Sequence, residues 1–245
     1  MNSFISQDNL HHFCTTNEKW LKGDIKKLVI EFPGHDGNSC LGGNLEEPYR
    51  ISYFADTLGE NGILSVFAFP GPWSWMRQIS VDTVEQVVDC IFEKYLLPSD
   101  IPIVLMGGSM GGHGALMYSI KSSRKVTACA ISCPACDLYA LSQNQSFPYF
   151  CASVYLAFAD CDGDFEAIAK AHSPLYNTDN LPRIPYFMVI CDKDETLPCD
   201  VHALPFLEKM KEAGHNIHTI TAHGKGHCEH PLEIKKALAD FIINA

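Results

Sequence analysis

Apolar and polar positions change period along the chain, and each change marks an element. Lys26 to Phe32 (KKLVIEF) is a short β-branched, apolar run, which reads as a strand. It ends at Pro33-Gly34-His35-Asp36-Gly37, a turn-rich loop. Leu45 to Leu58 reads as a helix closed by Gly59 and Asn61-Gly62. Ile63 to Phe69 is apolar almost throughout, the pattern of a strand buried on both faces, and Pro70-Gly71-Pro72 breaks it. From Val81 to Leu97, apolar residues fall at Val84, Val87, Val88, Ile91, Phe92 and Tyr95, which is helical spacing stopped by Pro98. Strand Ile101 to Met106, helix Met110 to Ser122 and strand Val126 to Ser132 follow. Residues 185–191, 200–213 and 216–222 read as strand, helix and strand, and Pro231 to Ile243 as a closing helix.

Apolar strands alternating with helices predict an α/β fold. The expected architecture is a mostly parallel, doubly wound sheet of about six strands, covered on both faces. The whole chain, 1–245, reads as a single domain. The alternation lapses across residues 134–182. Polar Ser142-Gln143-Asn144-Gln145 and aromatic Phe147-Pro148-Tyr149-Phe150 there predict an insertion of short helices that could form a substrate cap. Residues 1–24 are poorly patterned and read as an edge strand or a wrap around the body. No internal repeat of the kind that builds a propeller is present.

Composition narrows the function classes. The chain is 47% apolar and 19% charged, enough for a sizeable core, with a formal net charge of −11. It has no basic run, so nucleic acid is not an expected partner. No apolar stretch is long enough for a membrane span, and Met1 to Asp8 lacks the pattern of a signal peptide. The 11 cysteines then read as reduced thiols of a cytoplasmic protein. Cys133-Pro134-Ala135-Cys136 lacks a second pair for zinc and follows a strand instead of opening a redox helix. Asp160-Cys161-Asp162-Gly163-Asp164 resembles a calcium loop only in part, since position 171 holds Ala171 and not glutamate; it reads as a solvated turn. No metal and no cofactor is expected.

The chemistry centres on Gly107-Gly108-Ser109-Met110-Gly111, between a strand and a helix. A sharp strand-to-helix turn exposes the serine hydroxyl, and its neighbours at plus and minus two must be tiny. The free N–H groups and partial positive charge of the helix start suit a developing oxyanion. A serine needs a base, and an imidazole base needs a carboxylate to fix its tautomer. In parallel sheets these belong beyond the carboxyl ends of the strands. Asp192-Lys193-Asp194-Glu195 follows the 185–191 strand, and His223-Gly224-Lys225-Gly226-His227-Cys228-Glu229-His230 follows the last one. His223 and His227 have i, i+4 spacing, but the glycines between them argue against a helix that would align them on zinc. Position alone does not choose between Asp192 and Asp194.

Gly-x-Ser-x-Gly, then Asp-x-x-Leu-Pro (Asp194 to Pro198), then Gly224-Lys225-Gly226-His227 resembles the α/β-hydrolase superfamily over nearly the whole chain from Lys26 on. Gly108 to Leu116 is similar to the serine turn of esterase D-type enzymes, the S-formylglutathione hydrolases. Ser173-Pro174-Leu175-Tyr176 through Asp194 is similar to the catalytic domain of prolyl-oligopeptidase-type hydrolases. The resemblance implies Ser109 as nucleophile, Asp194 as acid and His227 as base. It implies an oxyanion hole from the N–H of Met110 and one from the loop after the first strand. Families often show His-Gly-x in that loop; here it is Pro33-Gly34-His35, so the second N–H is assigned to His35. His113 reads as packing near the site.

Trp73, Trp75 and Met76 follow the carboxyl end of a strand and are the expected wall for an apolar acyl or alcohol group. Arg77 reads as a surface arginine. The expected activity is a serine hydrolase acting on small carboxylic esters through an acyl-enzyme. A prolyl-oligopeptidase-like peptidase or amidase, a thioesterase, and a non-catalytic hydrolase-fold binding protein are the alternatives. Oligomeric state is not readable from the sequence.

Overall fold

The computed structural model describes residues 4–35, 54–71, 73 and 75–245. Its strands are β1 (Cys14–Thr16), β2 (Lys27–Phe32), β3 (Ile63–Ala68), β4 (Ile103–Gly108), β5 (Ala128–Ser132), β6 (Tyr186–Cys191) and β7 (Ile217–Ala222). Among the described residues they form a seven-stranded sheet in the order β1-β3-β2-β4-β5-β6-β7. Every pairing is parallel except β1 with β3. The six parallel strands are those expected from the apolar runs. The added strand is a three-residue antiparallel edge, too short to show a period. Buried Asn17 ties this edge down: its Nδ2 donates to Ala55 O (2.9 Å) and Ile63 O (3.0 Å), and its Oδ1 accepts from Ser65 N (2.8 Å).

The strands alternate in the strict sense, with both sets of side chains apolar. Leu28, Ile30, Leu64, Leu105, Ile131 and Met188 face one side, and Val29, Val104, Met106, Ala130 and Val189 the other. Helices α1 (Ala55–Glu60), α2 (Gln78–Tyr95), α3 (Met110–Lys121), α7 (Ala203–Glu212) and α8 (Leu232–Asn244) cover the two faces. Residues of α2, α3 and α7 pack on the first set, and those of α1 and α8 on the second. Each fully buried large aliphatic side chain contributes roughly 1.5–3 kcal/mol, so two apolar faces are what hold a parallel sheet. The expected helix Leu45 to Leu58 lies mostly outside the described residues; the part described is α1. Helix α2 runs further back than expected, to Gln78, and stops at Tyr95, where Leu96 takes a left-handed conformation (φ 50°) ahead of Pro98.

Between β5 and β6 lie α4 (Leu138–Ser142), α5 (Pro148–Ala157) and α6 (Phe165–Ala171). Asp137 and Asp164 cap α4 and α6 by accepting from the N–H groups of Ala140 and Ala167. The three helices share an apolar cluster with Trp75, Met110 and Leu197, which places the insertion over the carboxyl end of the sheet. Arg77 also binds it there, through Asp160 at 2.8 Å. Among the described residues no helix is long and apolar enough to cross a membrane.

Candidate active site

Ser109 sits between β4 and α3 with φ 59° and ψ −126°, a conformation that an L residue holds only when its surroundings force it. The surroundings do. Ser109 N donates to Ser132 O at 2.9 Å, and Ser109 O accepts from Ala135 N at 3.3 Å, so the turn is clamped to the end of β5. The glycines make the clamp possible. A Cβ on Gly107 would lie 2.3 Å from Gly111 C, and one on Gly111 would lie 2.2 Å from Phe32 O. The loop after β2 lies in van der Waals contact with the turn: a Cβ on Gly34 would stand 4.0 Å from Ser109 Cβ.

The loops after β6 and β7 run together, with Lys193 N bonded to Lys225 O at 2.9 Å. They carry Asp194 and His227. Asp194 is 7% exposed; its Oδ1 accepts from Thr196 N (3.0 Å) and Leu197 N (2.8 Å). Those two bonds leave Oδ2 for His227 Nδ1, at 2.6 Å. An Nδ1–H held by a carboxylate leaves Nε2 with a lone pair, as a base needs. The His227 loop lies against the serine turn: Cys228 Sγ is 3.8 Å from His227 Nε2 and 3.4 Å from where a Cβ on Gly108 would be. Asp192 is engaged elsewhere. Its Oδ2 pairs with His223 Nδ1 (2.9 Å) and its Oδ1 accepts from Gly224 N (2.6 Å). These contacts hold the Asp192 carboxyl below its ordinary value, the His223 bond being the main cause.

A small cavity beside Ser109 is lined by His35, Trp75, Ala135, Leu141, Phe150, Thr196 and Leu197. Trp75 is thus at the wall, buried to 2% and fixed by its indole N–H on Ser153 Oγ (3.3 Å). The other two expected wall residues are placed differently. Met76 is buried in the core against the sheet, and Trp73 is exposed, stacked on His35 with centroids 5.9 Å apart. The His35 ring joins the wall, edge-on to Phe150 at 4.5 Å. Met110 is the first residue of α3, so its N–H stands outside the intrahelical ladder, beside the serine. His113 is fully buried, its ring nitrogens 3.2 Å from Ala135 O and Trp75 O, and burial pushes its pKa down to about 3. It bridges the serine helix to the cavity wall as a neutral group. Leu141, Phe150 and Leu197 carry no local sign of a wall position. Only the aromatic density of the insertion hinted at Phe150.

Atoms able to hold a metal ion converge, within 4.8 Å of one another, in two groups among the described residues: Cys133, Cys228 and His230; and Cys133, Asp194 and His227. His223 belongs to neither. Cys136, the other member of the C-x-x-C, is buried on the opposite side of the sheet from Cys133.

The profile of the prolyl oligopeptidase family matches residues 74–242, more than half of the 245-residue chain. The chain belongs to the prolyl oligopeptidase family. No curated protein sequence matches it significantly. Solved structures similar to it include the Pyrococcus horikoshii acylaminoacyl peptidase (TM-score 0.69, 11% identity, 90% of this chain and 36% of that one). Esterase B from Lactobacillus rhamnosis (TM-score 0.69, 11% identity, 91% and 78%) is another. A truncated carbohydrate esterase from gut microbiota (TM-score 0.68, 14% identity, 91% and 86%) is a third. The chain spans about a third of the length of the acylaminoacyl peptidase. Its fold is therefore the α/β-hydrolase fold.

Proposed function

We propose that the chain hydrolyses small carboxylic esters through an acyl-enzyme on Ser109. The observation that supports this best is the 2.6 Å contact between buried Asp194 and half-buried His227, next to a serine in a strained turn. Ser109 Oγ attacks the ester carbonyl while His227 Nε2 takes its proton. Asp194 keeps the imidazole in the right tautomer and stabilises the imidazolium. The Met110 N–H, helped by the partial positive charge at the start of α3, and the N–H of His35 receive the oxyanion. His227 then returns the proton to the leaving alcohol, and a water activated by the same imidazole releases the acid. The small apolar cavity walled by Trp75, Phe150 and Leu197 suits a short acyl chain.

The family match favours a second reading, an amidase or peptidase. One set of measurements tests both: turnover of aryl esters of graded acyl length beside aminoacyl amides, with fluorophosphonate labelling, for the wild type and Ser109→Ala. Short esters should be cleaved fastest, and Ser109→Ala should fold, resist labelling and lose about 10⁶-fold in kcat. Faster cleavage of a proline or alanine amide than of an acetate ester would replace the ester reading with the peptidase one. A tenth of wild-type activity in Ser109→Ala would remove the serine from its role.

A further inference from the structure

Cys133 follows β5, and Cys228 and His230 lie in the loop after β7, yet their ligating atoms all fall within 4.8 Å of one another. Ser132 Oγ lies 3.7 Å from Cys133 Sγ and holds His230 Nε2 at 2.5 Å, fixing the ring beside the thiols. We propose that Cys133 Sγ, Cys228 Sγ and a ring nitrogen of His230 form a binding site for a thiophilic divalent cation, of which Zn²⁺ is the type, and that the bound ion inhibits the hydrolytic site beside it.

Two sulfurs and an imidazole are the donor set that selects zinc over calcium or magnesium. With Zn–S near about 2.3 Å and Zn–N near about 2.0 Å, tetrahedral ligands stand roughly 3.3–3.8 Å apart, so small side-chain rotations close the set. Charge balances: the hydrated cation enters, both thiols lose a proton, and the two thiolates neutralise the ion. That removes the main penalty for placing a divalent ion beside buried Cys133. Half-buried Cys228 and His230 leave one face open for entry and for water as fourth ligand.

Inhibition follows from position. Cys228 adjoins His227 in the chain, and its sulfur is 3.8 Å from His227 Nε2. Ligation draws the loop toward Cys133, whose sulfur is itself within 4.8 Å of His227 and Asp194 ligating atoms. A cation so near also opposes the positive charge that His227 must acquire as base. This inhibitory half rests on the ester-hydrolase reading above; the binding half does not.

The test uses the full chain, kept reduced with a phosphine and stripped of metal with EDTA, then titrated with CoCl₂ and ZnCl₂. Wild type should take up one Co²⁺ with thiolate-to-cobalt charge-transfer absorption, which Zn²⁺ displaces. Zn²⁺ should lower ester turnover at least about tenfold, reversibly with EDTA. Cys228→Ser and His230→Ala should keep metal-free turnover but bind Zn²⁺ more weakly by over about 10–100-fold, since a lost ligand exceeds a lost outer-shell partner. Cobalt bound without a thiolate band would overturn the site. So would equal zinc inhibition of wild type and Cys228→Ser, which would place the ion on the other cluster, Cys133, Asp194 and His227. A metal-free protein without turnover counts against the hydrolase reading, and the weaker metal binding of Cys228→Ser and His230→Ala still decides the site.

Discussion

The loops after β6 and β7 hold two Asp–His pairs built from the same atoms. Asp192 Oδ2 meets His223 Nδ1 at 2.9 Å, and Asp194 Oδ2 meets His227 Nδ1 at 2.6 Å. What separates them is water. The His223 and Asp192 side chains are 82% and 33% exposed; those of His227 and Asp194 are 22% and 2%. In high dielectric the outer pair gains little and its imidazole stays free to exchange partners with solvent. The inner carboxylate has no solvent to turn to. Its other oxygen is held by two backbone N–H groups, so the imidazole is fixed in orientation and tautomer. A His–carboxylate pair is thus common chemistry. Desolvation and two fixed backbone N–H groups set the inner pair apart, and its loop lies against the serine turn, with Cys228 Sγ 3.4 Å from where a Cβ on Gly108 would be.

The sharpest break of the comparison removes each imidazole in turn. His227→Ala should lower kcat by about 10⁶, as loss of a base that acts as a unit with its nucleophile does. His223→Ala should leave kcat within about twofold, as an exposed surface change does. Ester kinetics on both variants checks this, and a collapse in His223→Ala alone would move the base to the outer pair.

Asp→Asn in each pair is subtler, because shape is kept. In Asp194→Asn the amide oxygen should stay on the Thr196 and Leu197 N–H groups, so its NH₂ turns to His227 Nδ1. The imidazole must then carry its proton on Nε2, where it cannot accept one from Ser109. kcat should fall by about 10⁴, the size of the effect in a related triad. Asp192→Asn imposes the same swap on His223 and should leave kcat unchanged. Comparing the two values of kcat decides which carboxylate serves the base.

Stability separates the pairs by a smaller margin. Asp194→Ala leaves the Thr196 and Leu197 N–H groups without their acceptor at a buried position, a loss of about 1–3 kcal/mol for each donor that finds no water. Asp192→Ala exposes its former partner groups to solvent, and its thermal midpoint should match the wild type within the scatter of surface variants. A larger drop for Asp192→Ala would show that the outer pair, and not the inner one, holds the two loops together.

How much of this arrangement is legible in the sequence depends on how far apart the cooperating residues lie. The serine turn is readable because glycine, serine and glycine meet within five positions and the clashes they avoid are local or one strand away. Asp194 and His227 are readable because parallel strands deliver their following loops to one edge, so each needs only a strand before it. Spacing does not separate Asp192 from Asp194; what sets them apart in the structure is burial. Met76 was expected at the pocket and lies in the core, because a loop that turns back on the sheet sends neighbouring side chains to opposite sides. The convergence of Cys133 with Cys228 and His230 joins the segments that follow two different strands. The local C-x-x-C points instead to Cys136, on the wrong face.

The smallest effect concerns acid pH and the outer pair. The Asp192 carboxyl lies below its ordinary value of 3.8, chiefly because of His223 and then the Gly224 N–H. The ionised form is therefore bound better in the folded state than in the unfolded one. Such a group adds stability that is fully present above its unfolded value and is lost as the pH falls through the lower, folded value. The contribution is small, because the pair is screened by water and salt. Thermal midpoints of the wild type and Asp192→Asn, measured from about pH 5 down to about pH 3, should differ by a small amount at about pH 5, and the gap should shrink as the pH falls below 3.8. Raising the salt concentration should shrink it throughout. A gap that widens toward low pH would mean that the neutral Asp192 carboxyl, and not its anion, is the form the fold prefers, and the outer pair would then be no ion pair at all.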